Sequence, residues 1–519
     1  MNKEHSVSSS HLKPQLLFSV PSSPNMKQSV LENTLQFSFP NGIDISYYEQ
    51  HPKIYSILFT DKESNNYYYY ILLFYEKIKD AILGSKTSLN RNSDINATET
   101  YYCPISIIIW SDYGNIDFFR GMLINFYKII KLDYSYLNNN YINNSNIMNG
   151  IYNLRKTSTT INSNFENERI LSFQKVELLN YFNFCYELPR PPNASIFSLN
   201  MRFDKVDYKF QSSLEIPTND YCMDVLFNTL EISVIIKLFV ALLFEKFIII
   251  ISKQNMPLFC ICESLRYLLF PFEHSFVYIP NLPFDKIDIL DSPVPYLIGI
   301  NTSQISAEEL INPYRIICEV GTSTLYGNTS KLKLPLKEEM KIKSKLILLR
   351  SKYRNVYDNI EGESNISNKY NMSNRSSKVS KEEEDIDDDG VDFNLSFAQN
   401  VQNIFFSIFK NNMKNIKEYI KNNNFNSQRF LSSFKNEEYK LFFDIIVKTS
   451  SFEIFINSMG LLNDCLSRKF INICKSEYEQ NSKEKTDEKN YYKYSFNIPK
   501  KLNKLFKTSE FQNIHHIFS

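Results

Sequence analysis

The side chains able to carry proton transfer, metal binding or phosphate recognition are few in this 519-residue chain, and their spacing argues against all three. Histidine is the commonest general base because its ordinary pKa lies near neutrality. The six present are His5, His11, His51, His274, His515 and His516. A triad built on His274 would need a nucleophile elbow, and no G-x-S-x-G occurs, so a structural role is expected for it. His515 and His516 are adjacent imidazoles near the C-terminus without the spaced partners of a metal site. Eight cysteines (Cys103, Cys185, Cys222, Cys260, Cys262, Cys318, Cys465 and Cys474) include no C-x-x-C pair. They sit mostly in apolar runs, which predicts buried, reduced thiols in a cytosolic setting.

Phosphate cradles need glycine, because the backbone must approach the phosphate closely. Only 11 glycines are present, and neither G-x-G-x-x-G nor a P-loop occurs. The stretch "GTSTLYGNTSK" from Gly321 has the wrong glycine spacing and no lysine after Gly327, which excludes a nucleotide site. With 58 basic against 57 acidic residues, no global field favours nucleic acid, anionic lipid or an acidic substrate. The run "EEEDIDDD" is a self-repelling, solvated block in which nothing would shift a carboxylate's pKa. No cofactor and no metal are expected, and neither hydrolase nor oxidoreductase chemistry fits.

The elements that would position any site are clearest around Leu238–Ser252, "LFVALLFEKFIIIIS". A membrane-spanning helix needs about 20 mostly apolar residues, and Lys237, Glu245 and Lys246 interrupt this run. Val234, Leu238, Ala241 and Leu242 recur at helical spacing, whereas Phe247–Ile251 is a β-branched block. The pattern predicts a helix, a tight connection at Glu245-Lys246, and a strand buried on both faces. Pro257 then suits a helix start, and Leu258, Ile261, Cys262, Leu265, Leu268 and Leu269 form one stripe. Further strands are expected at "SFVYIP" and "VPYLIGI", giving an α/β layer with parallel neighbours.

Upstream, "LQFSFPNG" from Leu35 reads as a strand, and a hairpin follows with its turn at Asp61–Asn66. A buried strand ending near Trp110 leads into a helix with Phe118, Met122, Leu123, Phe126 and Ile130 on one face. We divide the chain into a disordered N-terminus (1–33), an upstream α+β lobe (34–192) with an Asn-rich insertion (138–168), and a central α/β lobe (193–350). An acidic disordered linker (351–396), downstream helices (397–475), and a polar and basic tail (476–519) complete it. No signal peptide is apparent, Asn2 rules out N-myristoylation and "HHIFS" is not a prenylation box, so both ends are expected to be cytosolic. The basic "KKLNKLFK" could lie on an anionic membrane, although an ordinary surface helix is the commoner use of such a pattern.

The order of these pieces resembles the DENN family, three-part modules that act on Rab GTPases. Its Phe-x-Phe-Pro-x-Gly opening is matched by Phe37, Phe39, Pro40 and Gly42, and its next strand by Phe59, Thr60 and Asp61. Ser111 and Phe119-Arg120 match a looser element, in which Gly114 stands where proline is usual. The central signature is similar through Glu245, Lys246 and Ser252, then Pro271, Phe272, Pro280, Leu282 and Pro283, then Pro293, Pro295, Ile298 and Gly299. The chain departs from the family at Ile317–Ser323, "ICEVGTS", where a Val-Asp-Leu-Asp strand is common. Thr449, Phe452, Phe455 and Ile456 match the closing helices, with Ser450 in place of glutamine.

The resemblance implies a two-lobed module, a longin-like α+β N-lobe followed by an α/β central lobe and an all-helical downstream part. It implies a guanine nucleotide exchange factor for a Rab-family GTPase in vesicle trafficking, cytoplasmic and peripherally membrane-associated. The alternatives are a GTPase-activating DENN-like protein and a non-catalytic scaffold. Most matched residues (Phe39, Pro40, Glu245, Ser252, Pro271, Phe272, Pro280, Pro283, Gly299, Phe452 and Phe455) read as core or turn residues, with Glu245 stabilising the helix–strand junction. The expected GTPase contacts are Asp61, Phe118, Arg120, Asp291, Pro293, Pro295 and Asn301.

Overall fold

The computed structural model describes residues 7–8, 14–20, 34–60, 66–78, 101–140, 176–189, 195–201, 205–210, 216–361, 395–460, 470–474 and 492–497, apart from a few positions inside these ranges. The described residues form a mixed α/β structure with one five-stranded sheet, two three-stranded sheets and two two-stranded ribbons. A short ribbon pairs β1 (Val7–Ser8) with β2 (Asp44–Ile45). The expected strand from Leu35 is instead a helical turn, with Ser38 N–H donating to Thr34 O at 3.1 Å. A reverse turn follows, closed by Gly42 N–H on Phe39 O at 2.9 Å. Pro40 has no N–H to give a ladder, and Gly42 turns the chain with φ +82°.

The predicted hairpin is present as β3 (Lys53–Thr60) and β4 (Asn66–Ile78), and β5 (Tyr101–Ser111) completes an antiparallel sheet in the order β3-β4-β5. Alternation sends Tyr70, Leu72 and Phe74 of β4 to one core and Tyr69, Ile71 and Leu73 to another. β5 is not the buried strand expected. It is the sheet's edge, mostly half-buried, and Trp110 is 50% exposed. Helix α1 (Ile116–Asn140) covers the first face with the predicted stripe, from Phe118 to Ile130. Helix α2 (Val176–Tyr186) and a second sheet, β6 (Ser195–Asn200) with β7 (Lys205–Phe210), follow.

The central stretch has the predicted alternation: α3 (Asp220–Thr229), α4 (Ile232–Leu243), β8 (Phe247–Ser252), α5 (Asn255–Leu268), β9 (Val277–Leu282), β10 (Tyr296–Asn301), α6 (Ala307–Leu310) and β11 (Arg315–Glu319). The strand order is β12-β11-β8-β10-β9, where β12 (Thr324–Tyr326) is antiparallel and the other pairings are parallel. β8 is central, and Ile248, Ile249, Ile250 and Ile251 are all fully buried. Ile248 and Ile250 face α4 and α5, whereas Ile249 and Ile251 face a core closed by Leu290, Tyr296 and Leu310. Gly299 permits the approach of β10 to β9: an added Cβ would lie 2.0 Å from Pro280 O.

Helix α7 (Leu336–Glu361) runs past residue 350, where the linker was expected to begin, because its apolar stripe of Ile342, Leu346 and Leu349 continues to Tyr353. The downstream part comprises α8 (Phe397–Met413), α9 (Ser427–Ser432), α10 (Glu437–Ile446) and α11 (Ser450–Gly460). It is not wholly helical, since β13 (Ile420–Lys421) and β14 (Asn424–Phe425) form a small ribbon. These helices share the central core: Phe239 meets Phe405 at 4.8 Å, and Phe272 meets Phe409 at 4.9 Å and Phe455 at 5.5 Å. Residues Tyr492–Asn497, placed by sequence in a polar tail, form a strand, β15, parallel to β6. The acidic run and "KKLNKLFK" lie outside the described residues.

Candidate functional site

The residues expected to meet a partner fall into separate places. Asp61 lies outside the described residues. Phe118 is in the first turn of α1 but is only 5% exposed, its ring edge-on to Phe119, Phe197 and Tyr208. It is a core residue and cannot reach a partner, so that expectation is corrected. Its place on the apolar stripe already said so. The Arg120 guanidinium lies 4.6 Å over the Tyr221 ring, joining α1 to α3 through a cation–π contact.

Asp291, Pro293 and Pro295 do share a surface. Asp291 ends a 3₁₀ turn (Phe284–Asp291), and its exposed carboxylate accepts from Arg315 at 3.0 Å. The same guanidinium donates to Leu290 O at 2.9 Å, fastening this loop to the start of β11. Pro293 is exposed and Pro295 half-buried. Beside the pair stand Val294 at 41%, Ile311 at 55% and Tyr314 at 78% exposure. These apolar side chains surround an ion pair at the N-terminal ends of the parallel strands. Sequence reading missed Ile311, Tyr314 and Arg315. The signal available was "INPYR", two apolar side chains and an arginine around a proline turn.

Asn301 is not part of that face. It ends β10, so about 16 Å of strand separates it from Tyr296. Its amide donates to Lys253 O at 3.1 Å and to Asn255 Oδ1 at 2.7 Å, clipping β10 to the β8–α5 turn. Ser252 supports the same corner: its carbonyl accepts from Thr302 N–H at 2.9 Å and its hydroxyl from Gln254 N–H at 3.1 Å.

Glu245 does more than close the α4–β8 junction. It sits at φ +51°, and its carboxylate accepts from Ser450 N–H at 3.1 Å and from Ser451 N–H and Oγ–H at 2.8 and 3.0 Å. Thr449 Oγ1 accepts from Phe452 N–H at 3.3 Å, so the first turn of α11 is satisfied from two directions. The other matched residues are structural as expected: Pro271, Phe272, Pro280, Pro283 and Phe452 are buried, as are Pro40 and Phe455. Phe39 is half-buried against the β3–β4 core.

Burial, aided by Arg266, pushes the His274 imidazole down to about 3, which keeps it neutral and fits a structural residue. Among the described residues no group of three metal-ligating side chains occurs, and the seven described cysteines are free. Where α1, α3 and α8 meet, Asp117, Asp220 and Asp224 come together near Arg120, Tyr208 and Cys222, and Ser396 Oγ–H donates to Asp220 at 2.6 Å. Burial first, then the Asp220 charge, raises Asp117 to about 7 and Asp224 to about 8.

These raised carboxyls set a pH dependence. The folded state holds protons that the unfolded chain releases near pH 4, so this stability is fully present below that pH and is lost as pH rises through 7 and 8. Asp117→Asn is expected to be more stable than the parent by about 1 kcal/mol at pH 8 and indistinguishable from it near pH 4. Urea unfolding at the two pH values measures this, and an equal effect at both would exclude titration of Asp117.

Comparison with known proteins agrees with this architecture. The model of the DENN (AEX-3) domain matches residues 102–318, from β5 to β11. The chain is 31% identical over 127 residues to the DENN domain and WD repeat-containing protein SCD1 of Arabidopsis thaliana, covering 24% of this chain and 10% of that protein. It is 36% identical over 80 residues to DENN domain-containing protein 2A of Mus musculus, covering 15% and 8%. Elicitor of plant defense protein 1 of Fusarium odoratissimum is 26% identical over 166 residues, covering 32% and 18%. The alignments thus span less than a fifth of these relatives' lengths.

Proposed function

We propose that this protein is a guanine nucleotide exchange factor for a Rab-family small GTPase, acting in vesicle trafficking. The match of residues 102–318 to the DENN domain carries the reading. On it, residues 34–192 are a longin-like lobe, 193–350 a central lobe and 397–475 the downstream helices, in a cytoplasmic protein that joins membranes peripherally. Exchange requires no proton-transfer residue and no bound cofactor. A factor that binds the nucleotide-free GTPase more tightly than the GDP-bound one shifts the population toward release, and the affinity difference sets the acceleration. An interface of about 1,600 Å² suffices for such a complex. The Asp291–Arg315 face, with Val294, Ile311 and Tyr314, is our assignment for part of it.

The test is release of labelled GDP from a panel of the organism's Rab-family GTPases. Acceleration of one or a few is expected, and none across the panel would end the exchange reading. Faster GTP hydrolysis would instead indicate activation, and binding without either, a scaffold. Activation by an inserted arginine gains no support from Arg120, whose guanidinium already stacks on Tyr221. Tyr314→Ala is expected to slow exchange about tenfold, as loss of an exposed aromatic anchor does, with the melting temperature unchanged. Unaltered rates would remove this face from the interface.

A further inference from the structure

We propose that the edge of β6 opposite β7 is a strand-docking site, and that Tyr492–Asn497 is its built-in occupant, displaceable by an extended segment carrying aromatics at alternate positions. The register is continuous over six residue pairs, from Tyr492 opposite Ser195 to Asn497 opposite Asn200. It joins segments that are remote in sequence, and Asn200 Nδ2 donates to Ser495 Oγ at 3.3 Å across 295 positions. A strand delivered from so far away is held by its ladder and by whatever side chains it buries.

Receptor and occupant are held very differently. Ser195 and Leu199 are fully buried and Phe197 is 2% exposed, with Phe118 edge-on to Phe197 at 5.9 Å, so β6 belongs to the core beneath α1. β15 lies at the sheet edge in the order β15-β6-β7. Lys493, Tyr494 and Ser495 are exposed, and Phe496 reaches inward to stack on Phe197 at 4.6 Å. Parallel ladders are weaker per residue than antiparallel ones, and an edge strand with one inserted ring belongs to the least stable parts of a fold. Alternation places Tyr494 on the same side as Phe496, which defines what a competitor must offer. Release of β15 would uncover the β6 backbone and Phe197 together, a ready acceptor for such a segment.

The test uses the full chain, Phe496→Asp in that chain, a chain ending at Tyr491, and a labelled peptide of residues 490–499. Amide hydrogen exchange over 195–200 is expected to rise at least tenfold in Phe496→Asp. The peptide is expected to bind that variant and restore the protection, while binding the parent at least tenfold more weakly. A peptide carrying the same Phe496→Asp change should bind neither. Should Phe496→Asp not fold, the chain ending at Tyr491 gives the same readings. Unchanged protection of 195–200, no binding to the opened chain, or a switch of that chain to a dimer that excludes peptide would each overturn the proposal.

Discussion

Gly299→Ala is expected to destabilise the protein by at least about 3 kcal/mol, more than a typical overpacked core residue, because nothing near the new methyl group can yield cheaply. The Cβ would sit 2.0 Å from the carbonyl oxygen of Pro280 and 3.1 Å from Cβ of Leu258. The first of these is backbone of the adjoining strand, and the second projects from α5, which packs on β10. Relief requires β9 and β10 to separate where their register already shifts between Ile298 and Ile300, with loss of ladder hydrogen bonds as well as packing. For a protein of this size, 3 kcal/mol corresponds to a fall in melting temperature on the order of 3 °C. Gly321→Ala is the control, since an added Cβ there meets nothing within 4 Å. Thermal unfolding of the two variants side by side gives the comparison. Similar melting temperatures would mean that β9 and β10 do not approach in this way.

Glu245→Ala is expected to cost about 2–3 kcal/mol. The carboxylate holds two backbone N–H groups and a hydroxyl at the start of α11, and charge-assisted bonds of this kind are among the stronger ones. The residue also sits at φ +51°, where a side chain is unfavourable by about 1 kcal/mol and glycine is not. The expected order of stability is therefore parent, Glu245→Gln, Glu245→Gly, Glu245→Ala, read from urea midpoints. An alanine variant as stable as the glutamine variant would show that the cap contributes nothing.

The central sheet was legible because its signals are local. A β-branched block between two helical stripes can hardly be anything but an interior strand, and Ile248–Ile251 are fully buried as that pattern requires. β15 had a usable signal too, Tyr492, Tyr494 and Phe496 at a period of two, which the surrounding lysines and asparagines obscured. The partner of Glu245 had none, since a cap is normally sought next to its helix and this one comes from 205 positions earlier. For the candidate site, resemblance put Phe118 on the surface while its own helical spacing put it in the core, and the spacing was right. Asp291 and Asn301 looked like neighbours in sequence, but a strand carries them to opposite ends of the sheet.

The Glu245 bonds and the aromatic core around Phe272 hold α8–α11 to the central sheet without help from the covalent link between Glu361 and Leu395. The composition of that link can drift and its length can grow at about 0.6 kcal/mol per doubling. Insertions between the central and closing parts are thus nearly neutral for folding, which leaves evolution free to write regulatory sequence there.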